Sequence, residues 1–195
     1  MIGCHAARPA PTFRGLAEKD RDLVADYLGS RSDVSFHALY DRHAPAMYAL
    51  SLRFLAGRSN EAEDAVQEAW LRALSSLASF RWESSLRTWL CGITVNCCRE
   101  RVRDVWWPVA LPLPERPAGV PDGPDRVHVE DLLARLPPGY RAVLVLHDIE
   151  GYTHREIARL LDIDEGTARS QLSRARSTFR RWLNVSTEER DARQR

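Results

Sequence analysis

Arg169, Ser170, Ser173, Arg174, Ser177 and Arg181 fall within one short stretch of the chain. At about 100° per residue they share one side of a helix, while Ala168, Leu172, Ala175, Phe179 and Leu183 recur on the other at steps of three or four. Guanidinium and hydroxyl groups along one helical face can bond base edges and phosphates. The first residues of such a helix usually reach the bases, and later arginines meet the backbone. The plainer alternative is a solvated amphipathic helix whose arginines serve solubility.

A second set lies earlier. Phe80, Trp82 and Trp89 cluster around a loop with Arg81 and Arg87, and Asn96 follows Trp89 by seven residues, on the same helical face. Aromatic rings interleaved with arginines can stack on unpaired bases. An Asn amide can read a base edge as donor and acceptor together. Arg99, Arg101 and Arg103 add charge for phosphate. The alternative is an aromatic core beside a basic, solvated helix end. A third set, Asp64, Gln67, Glu68, Leu71 and Ser75, lies opposite the apolar face Ala62, Ala65, Val66, Ala69, Trp70, Ala73 and Leu77. A leucine among carboxylates and amides can anchor a protein interface with a polar rim. Single exposed leucines are also common, and both readings stay open on these residues alone.

These groups need helices to position them. Thr153 and Glu156 form a T-x-x-E capping box that predicts a helix from His154. Ile157, Leu160 and Leu161 give that helix its apolar stripe. Asp162, Ile163 and Asp164 interrupt it, and Asp164 is placed to cap the next helix, with Glu165 suiting the helix dipole. Upstream, helices are expected over 20–28, over 35–55 with Pro45 as a bend, from a cap at Asn60 with Glu63 to about Leu77, and over 86–103. A loop is expected at 79–85. Six prolines between residues 106 and 124 preclude regular helix or an inner strand. Short helices are expected over 127–136 and 139–149. No strand-like alternation persists. The fold class is all-α, with two small helical domains joined by a proline-rich extended linker. The boundaries are a disordered tail at 1–18, a first domain at 19–104, the linker at 105–125, a second domain at 126–184 and a flexible tail at 185–195.

Composition adds limits. The chain has 195 residues, 44% hydrophobic and 28% charged, with a formal net charge of +1. Nothing global announces nucleic acid, so any DNA attraction must come from local segregation of charge. Lys19 is the single lysine. Arginine suits bidentate contacts to guanine and phosphate, although the same bias also follows from a GC-rich genome. Cys4, Cys91, Cys97 and Cys98 lack zinc spacing, and reduced thiols are expected. Cys4 with His5 is at most half a metal site. His147, Glu150 and His154 have a helical metal-site spacing, but such a site needs matching sets on other helices. No cofactor, metal or catalytic residue is expected. No apolar run approaches the roughly 20 residues of a membrane span, and residues 1–15 lack the apolar core of a signal peptide. A cytoplasmic protein without membrane insertion is expected.

With these segments in hand, the chain resembles the extracytoplasmic-function group of bacterial sigma factors. The resemblance covers residues 20–184. It rests on FHALYDRHAPAMYALSLRFL, NEAEDAVQEAWLRAL and FRWESSLRTWLCGITVNCCRERVR in the first domain. In the second it rests on LPPGYRAVLVLHDIEGYTHREIARLLDIDEGTARSQLSRAR. It implies a promoter-melting domain (region two) and a helix-turn-helix domain (region four). Asp64, Gln67, Glu68 and Leu71 are then expected to face the clamp helices of the RNA polymerase largest subunit. The second domain is expected to meet the flap of the second subunit. Phe80, Arg81, Trp82, Trp89, Asn96 and Arg99 are expected at the minus-10 element, holding a flipped base. Arg169, Ser170, Ser173, Arg174 and Arg176 are expected at the minus-35 element. The resemblance further implies core polymerase and promoter DNA as partners, an anti-sigma factor that is often membrane-bound, and no enzymatic activity. Trp82 departs from the family, which usually has a small residue there, often glycine. Asp164 replaces a common proline or serine. A stand-alone helix-turn-helix regulator is the alternative, distinguished by tight duplex binding without polymerase.

Overall fold

The computed structural model describes residues 13–102 and 129–193, with side chains described from 18 to 102 and from 129 to 183. Eight α-helices and no strand occur among these residues. The expected linker and residues 1–12 lie outside them. None of the described helices is long and apolar enough to cross a membrane.

The first unit contains α1 (Phe13–Ser30), α2 (Asp33–Phe54), α3 (Ser59–Ser76) and α4 (Leu86–Arg101). α1 begins earlier than the expected Asp20 and takes in part of the expected tail. Leu16, Ala17, Glu18 and Lys19 are good helix formers, which favours that extension. Ser32 caps α2 by accepting the Ser35 amide at 3.2 Å, and Pro45 sits inside the helix without ending it. The turn that follows uses left-handed backbone at Ala56 and Gly57, with φ of 58° and 79°. It restarts the chain so tightly that α3 begins at Ser59 with Arg58 as its cap residue and no side-chain cap bond. The expected cap at Asn60 is therefore incorrect, and Asn60 lies in the first helical turn. Arg58 holds the turn instead: its Nε donates to the Leu55 carbonyl at the end of α2 at 2.9 Å, and its Nη1 pairs with Glu61 of α3.

Ala62, Ala65, Ala69 and Ala73 on α3 are 1% exposed or less. Their small side chains let α3 approach α2 and α4 closely, around Leu39, Met47, Leu50, Phe54, Leu86, Leu90 and Val95. Ser85 caps α4 by accepting the Thr88 amide at 3.0 Å. α4 ends at Arg101, two residues short of expectation. Cys91, Cys97 and Cys98 are free and buried in this core. Burial pushes the Cys91 thiol up to about 11 and that of Cys98 to about 12, which suppresses the reactive thiolate.

The second unit contains α5 (Val129–Arg135), α6 (Pro138–Leu144), a π-helical turn (Val145–Ile149), α7 (His154–Leu161) and α8 (Glu165–Arg193). Pro138 opens α6 at a position where a missing amide costs nothing. The capping box forms as expected: Thr153 N donates to Glu156 at 2.8 Å, and Glu156 N donates to Thr153 Oγ1 at 3.3 Å. Asp162, left-handed at φ 56°, ends α7. The Ala168 amide reaches the Asp164 carbonyl, which starts α8. α8 continues to Arg193, so the expected flexible tail from 185 is helical almost to its end. Glu188, Glu189, Arg190 and Ala192 are good helix formers, and extending an existing helix adds a bond for each residue ordered.

The two units pack on one another and share one apolar core, which the linker composition did not foretell. Arg141, 3% exposed, is the pivot. Its Nε donates to the Phe54 carbonyl at 3.1 Å, and its Nη1 to those of Ala134 and Leu136 at 3.0 and 2.9 Å. These carbonyls cluster at the C-terminal ends of α2 and α5, where helix dipoles favour a cation. Burial lowers the Arg141 pKa to about 10, so it stays charged at neutral pH. Arg141→Met is expected to leave three carbonyls unpaired and to cost about 3 kcal/mol, checked by urea denaturation. Thr153→Ala removes one capping bond and is expected to cost about 1 kcal/mol, with Thr153→Ser restoring most of it in the same assay.

Candidate nucleic-acid and protein interfaces

α8 presents Ala168, Leu172, Ala175 and Trp182 to the core. That leaves Arg169, Ser170, Ser173 and Arg174 exposed on the opposite side. Arg169 pairs with Glu165 one turn earlier. Ser170 Oγ donates to the Thr167 carbonyl at 3.0 Å. Arg176 behaves differently from its neighbours. Its Nε donates to Asp148 at 2.9 Å, its Nη2 makes a second bond there, and the same nitrogen lies 3.2 Å from His147 Nδ1. The Arg176 guanidinium holds the Asp148 carboxyl below the usual range. His147 stacks on His154 with ring centroids 4.7 Å apart. Arg176 and the histidines thus tie the π-helical turn to α7 and α8. Of His147, Glu150 and His154, the spacing considered for a metal, His147 bonds Asp148 and Glu150 pairs with Arg87, whereas His154 stacks on His147 with its buried Nδ1 unpaired. No group of three or more His, Cys, Asp and Glu among the described residues is placed to hold a metal.

The loop at 80–85 and α4 bring the second set together. Phe80 stacks on Trp89 at 4.8 Å and tilts against Trp82 at 4.9 Å. Arg81 and Asn96 are exposed. Trp82 has a φ of 59°. Left-handed backbone under a bulky side chain costs of order 1–3 kcal/mol, which explains physically why a small residue is usual there. The ring contacts offset part of that strain. Arg21 of α1 lies over the Trp82 ring, its guanidinium carbon 4.8 Å from the centroid. Sequence spacing gave no signal for Arg21, because the contact joins α1 to a loop far along the chain.

On α3, Asp64, Gln67 and Leu71 point outward, and Leu71 is 64% exposed. Glu68 accepts from Arg72 Nε at 2.8 Å, and Arg72 forks onto Glu100 of α4 with two bonds of 2.7 Å. This network fixes the α3 face relative to α4. The Arg72 guanidinium holds the Glu100 carboxyl low.

One side of α4 is covered by the second unit. Tyr152 donates to the Thr88 carbonyl at 3.0 Å, Arg87 pairs with Glu150 at 3.0 Å, and Arg99 Nη1 donates to the Leu160 carbonyl at 2.5 Å. Arg99 is the one member of the expected minus-10 set whose charged group is occupied by the second unit. Glu150, Tyr152 and Leu160 were not singled out from sequence for this role, since their partners are more than sixty residues away.

Comparison with known proteins gives these surfaces a context. The family described as Sigma-70 region 2 matches residues 39–108, and that described as Sigma-70, region 4 matches residues 126–179. The chain is 35% identical over 183 residues to "ECF RNA polymerase sigma factor SigM" of Mycobacterium tuberculosis, covering 90% of each. It is 32% identical to "ECF RNA polymerase sigma factor SigE" of Mycolicibacterium smegmatis, over 82% of this chain and 66% of that one. Among solved structures, the sigma factor RpoE of Bartonella quintana, crystallised with the anti-sigma factor NepR, superposes with a TM-score of 0.55 at 26% identity. That match covers 77% of this chain and 97% of the other. Two matched regions in this order, with relatedness over nearly the whole length, place the chain in the extracytoplasmic-function group of RNA polymerase sigma factors, which are non-enzymatic initiation factors of transcription.

Proposed function

We propose that this sigma factor grips a promoter at two points while held on core RNA polymerase. Asp64, Gln67, Glu68 and Leu71 form the contact with the clamp helices of the largest subunit, and the second unit meets the flap of the second subunit. The observation that carries this reading is Leu71, a large apolar side chain in solvent among Asp64 and Gln67. Its helix is braced from beneath by the Arg72–Glu100 fork. Arg169, Ser170, Ser173 and Arg174 read the minus-35 element in the major groove. Phe80, Arg81, Trp82, Trp89 and Asn96 receive an unpaired base of the minus-10 element, and Arg99 holds adjoining phosphate. Arg176 supports the minus-35 surface through its bond to Asp148, which contact with a phosphate must first exchange.

The mechanism follows from linkage. Each surface alone is a modest site, and tethering makes the second contact effectively intramolecular. Extruding a base costs a few kcal/mol, which stacking on the aromatic loop returns in part. Since Arg99 is bonded to the Leu160 carbonyl, that bond must be exchanged before the same N–H meets DNA. Polymerase, by engaging both units, is the natural agent of that exchange. An anti-sigma factor is a fitting partner for the closed arrangement, supported by the RpoE relative crystallised with one. The working compartment is the cytoplasm, where polymerase and promoter meet. A stand-alone regulator is disfavoured because both matched regions are sigma regions.

The direct experiment is reconstitution with core polymerase on a randomised template library; absence of any promoter-dependent transcript overturns the reading. Leu71→Glu is expected to weaken polymerase binding at least tenfold without lowering thermal stability, measured by fluorescence anisotropy. A stand-alone regulator would keep full function with that change. Arg174→Ala is expected to lower holoenzyme affinity for the selected promoter and to reduce the slope of log affinity against log salt by about 1 if the side chain contacts phosphate. Loss of base preference at one minus-35 position would instead assign it to base readout.

A further inference from the structure

The promoter-melting loop has a support that neither matched region contains. Residues 39–108 match Sigma-70 region 2, whereas α1 occupies Phe13–Ser30. Arg21, on the exposed side of α1, lies 4.8 Å from the centroid of the Trp82 ring. Phe80 contacts that ring at 4.9 Å and stacks in turn on Trp89 at 4.8 Å. The order is therefore guanidinium, indole, phenyl, indole, running from α1 through the loop to α4.

Two further observations make this more than a chance surface contact. Trp82 sits in left-handed backbone at φ 59°, a conformation that a bulky residue keeps only when its surroundings hold it. The arginine that holds it is itself well placed. Its neighbour Asp20 is 6% exposed and anchors α1 to α2, accepting from Arg42 Nε at 2.5 Å and lying 3.3 Å from His43 Nε2. Arg21 therefore projects from a fixed point. A guanidinium above an indole face is attracted by the ring quadrupole, and the same cation raises the positive potential beside the loop where an unpaired strand would lie.

Building on the proposed function, we infer that Arg21 is a positioning residue for promoter melting and that the Arg21–Trp82 pair sets the shape of the base pocket. The indole in place of a small residue makes Trp82 the specificity-determining member, and Arg21 fixes its orientation. α1 thereby becomes part of the promoter-reading machinery.

The test uses the full chain on core polymerase and a promoter selected from a randomised library by the wild-type holoenzyme. The template carries each of the four bases in turn at the captured position, with a 2-aminopurine reporter beside it. Arg21→Ala is expected to slow reporter dequenching about tenfold and flatten the preference among the four bases, with polymerase affinity and thermal midpoint unchanged. Arg21→Lys, which keeps a cation for the ring, is expected to recover most of the rate. Trp82→Gly is expected to flatten the base preference by itself, and adding Arg21→Ala to it should change nothing more. Such non-additivity is the signature of two residues acting as a unit. The inference is overturned if Arg21→Ala melts promoters like the wild type, if its effect adds fully to that of Trp82→Gly, or if its losses only track polymerase affinity or stability. A wild-type holoenzyme that selects no promoter from the library overturns the proposed function itself, and this inference with it.

Discussion

The arrangement of the molecule turns on one buried cation. Arg141 belongs to the second unit, yet one of its three hydrogen bonds reaches the last turn of α2 in the first. Its other partners close the end of α5. A guanidinium is suited to this because its donors form a rigid fork and it is more weakly hydrated than an ammonium. It neutralises no carboxylate there. It meets carbonyl groups that their helices leave unpaired, so the charge sits where two helix dipoles are negative. The shared apolar core around it excludes water and makes each of those bonds matter more.

The placement of the two units follows from that contact. With α2 and α5 joined, the π-helical turn and α7 come to lie along α4. Glu150, Tyr152 and the Leu160 carbonyl then find Arg87, Thr88 and Arg99. Polar and charged contacts at the edge of an apolar patch suit an interface that must exchange for others. An exposed ion pair contributes little by itself, and a guanidinium released from the Leu160 carbonyl can bond another acceptor. The α3 face and the outer side of α8 stay uncovered. The closed chain therefore leaves exposed the two faces proposed for polymerase and for the minus-35 element, while Arg99 is held by the Leu160 carbonyl.

Much of the local structure was readable from residue types. The capping box at Thr153 and Glu156 forms as spacing requires, and the alanine-rich face of α3 is buried throughout. The exposed set on α8 lies opposite its apolar stripe. Departures arose where a turn or the packing around a residue outweighed its own preference. Asn60 did not become a cap because the left-handed pair Ala56 and Gly57 started α3 sooner. Gln171 and Thr178, polar by type, are 6% exposed because they lie beside Leu172 and Ala175 on the packed side of α8. Trp82, noted in the sequence as out of place, takes up left-handed backbone, which gives the oddity a physical basis.

The sequence by itself determined the helices, their inward and outward faces, and the family, because helical periodicity and capping are local and motif order is linear. It also singled out the arginines and aromatics that meet nucleic acid in the proposed function. Tertiary structure alone decided how they are engaged, and it added Arg21. Arg176 turns to Asp148, Arg99 to Leu160, and Arg21 to Trp82. Each of these pairs joins residues at least twenty-eight positions apart, so no spacing rule along the chain can report them. An arginine in a sequence is a charge on a long flexible stem; only its packed surroundings determine which acceptor it reaches.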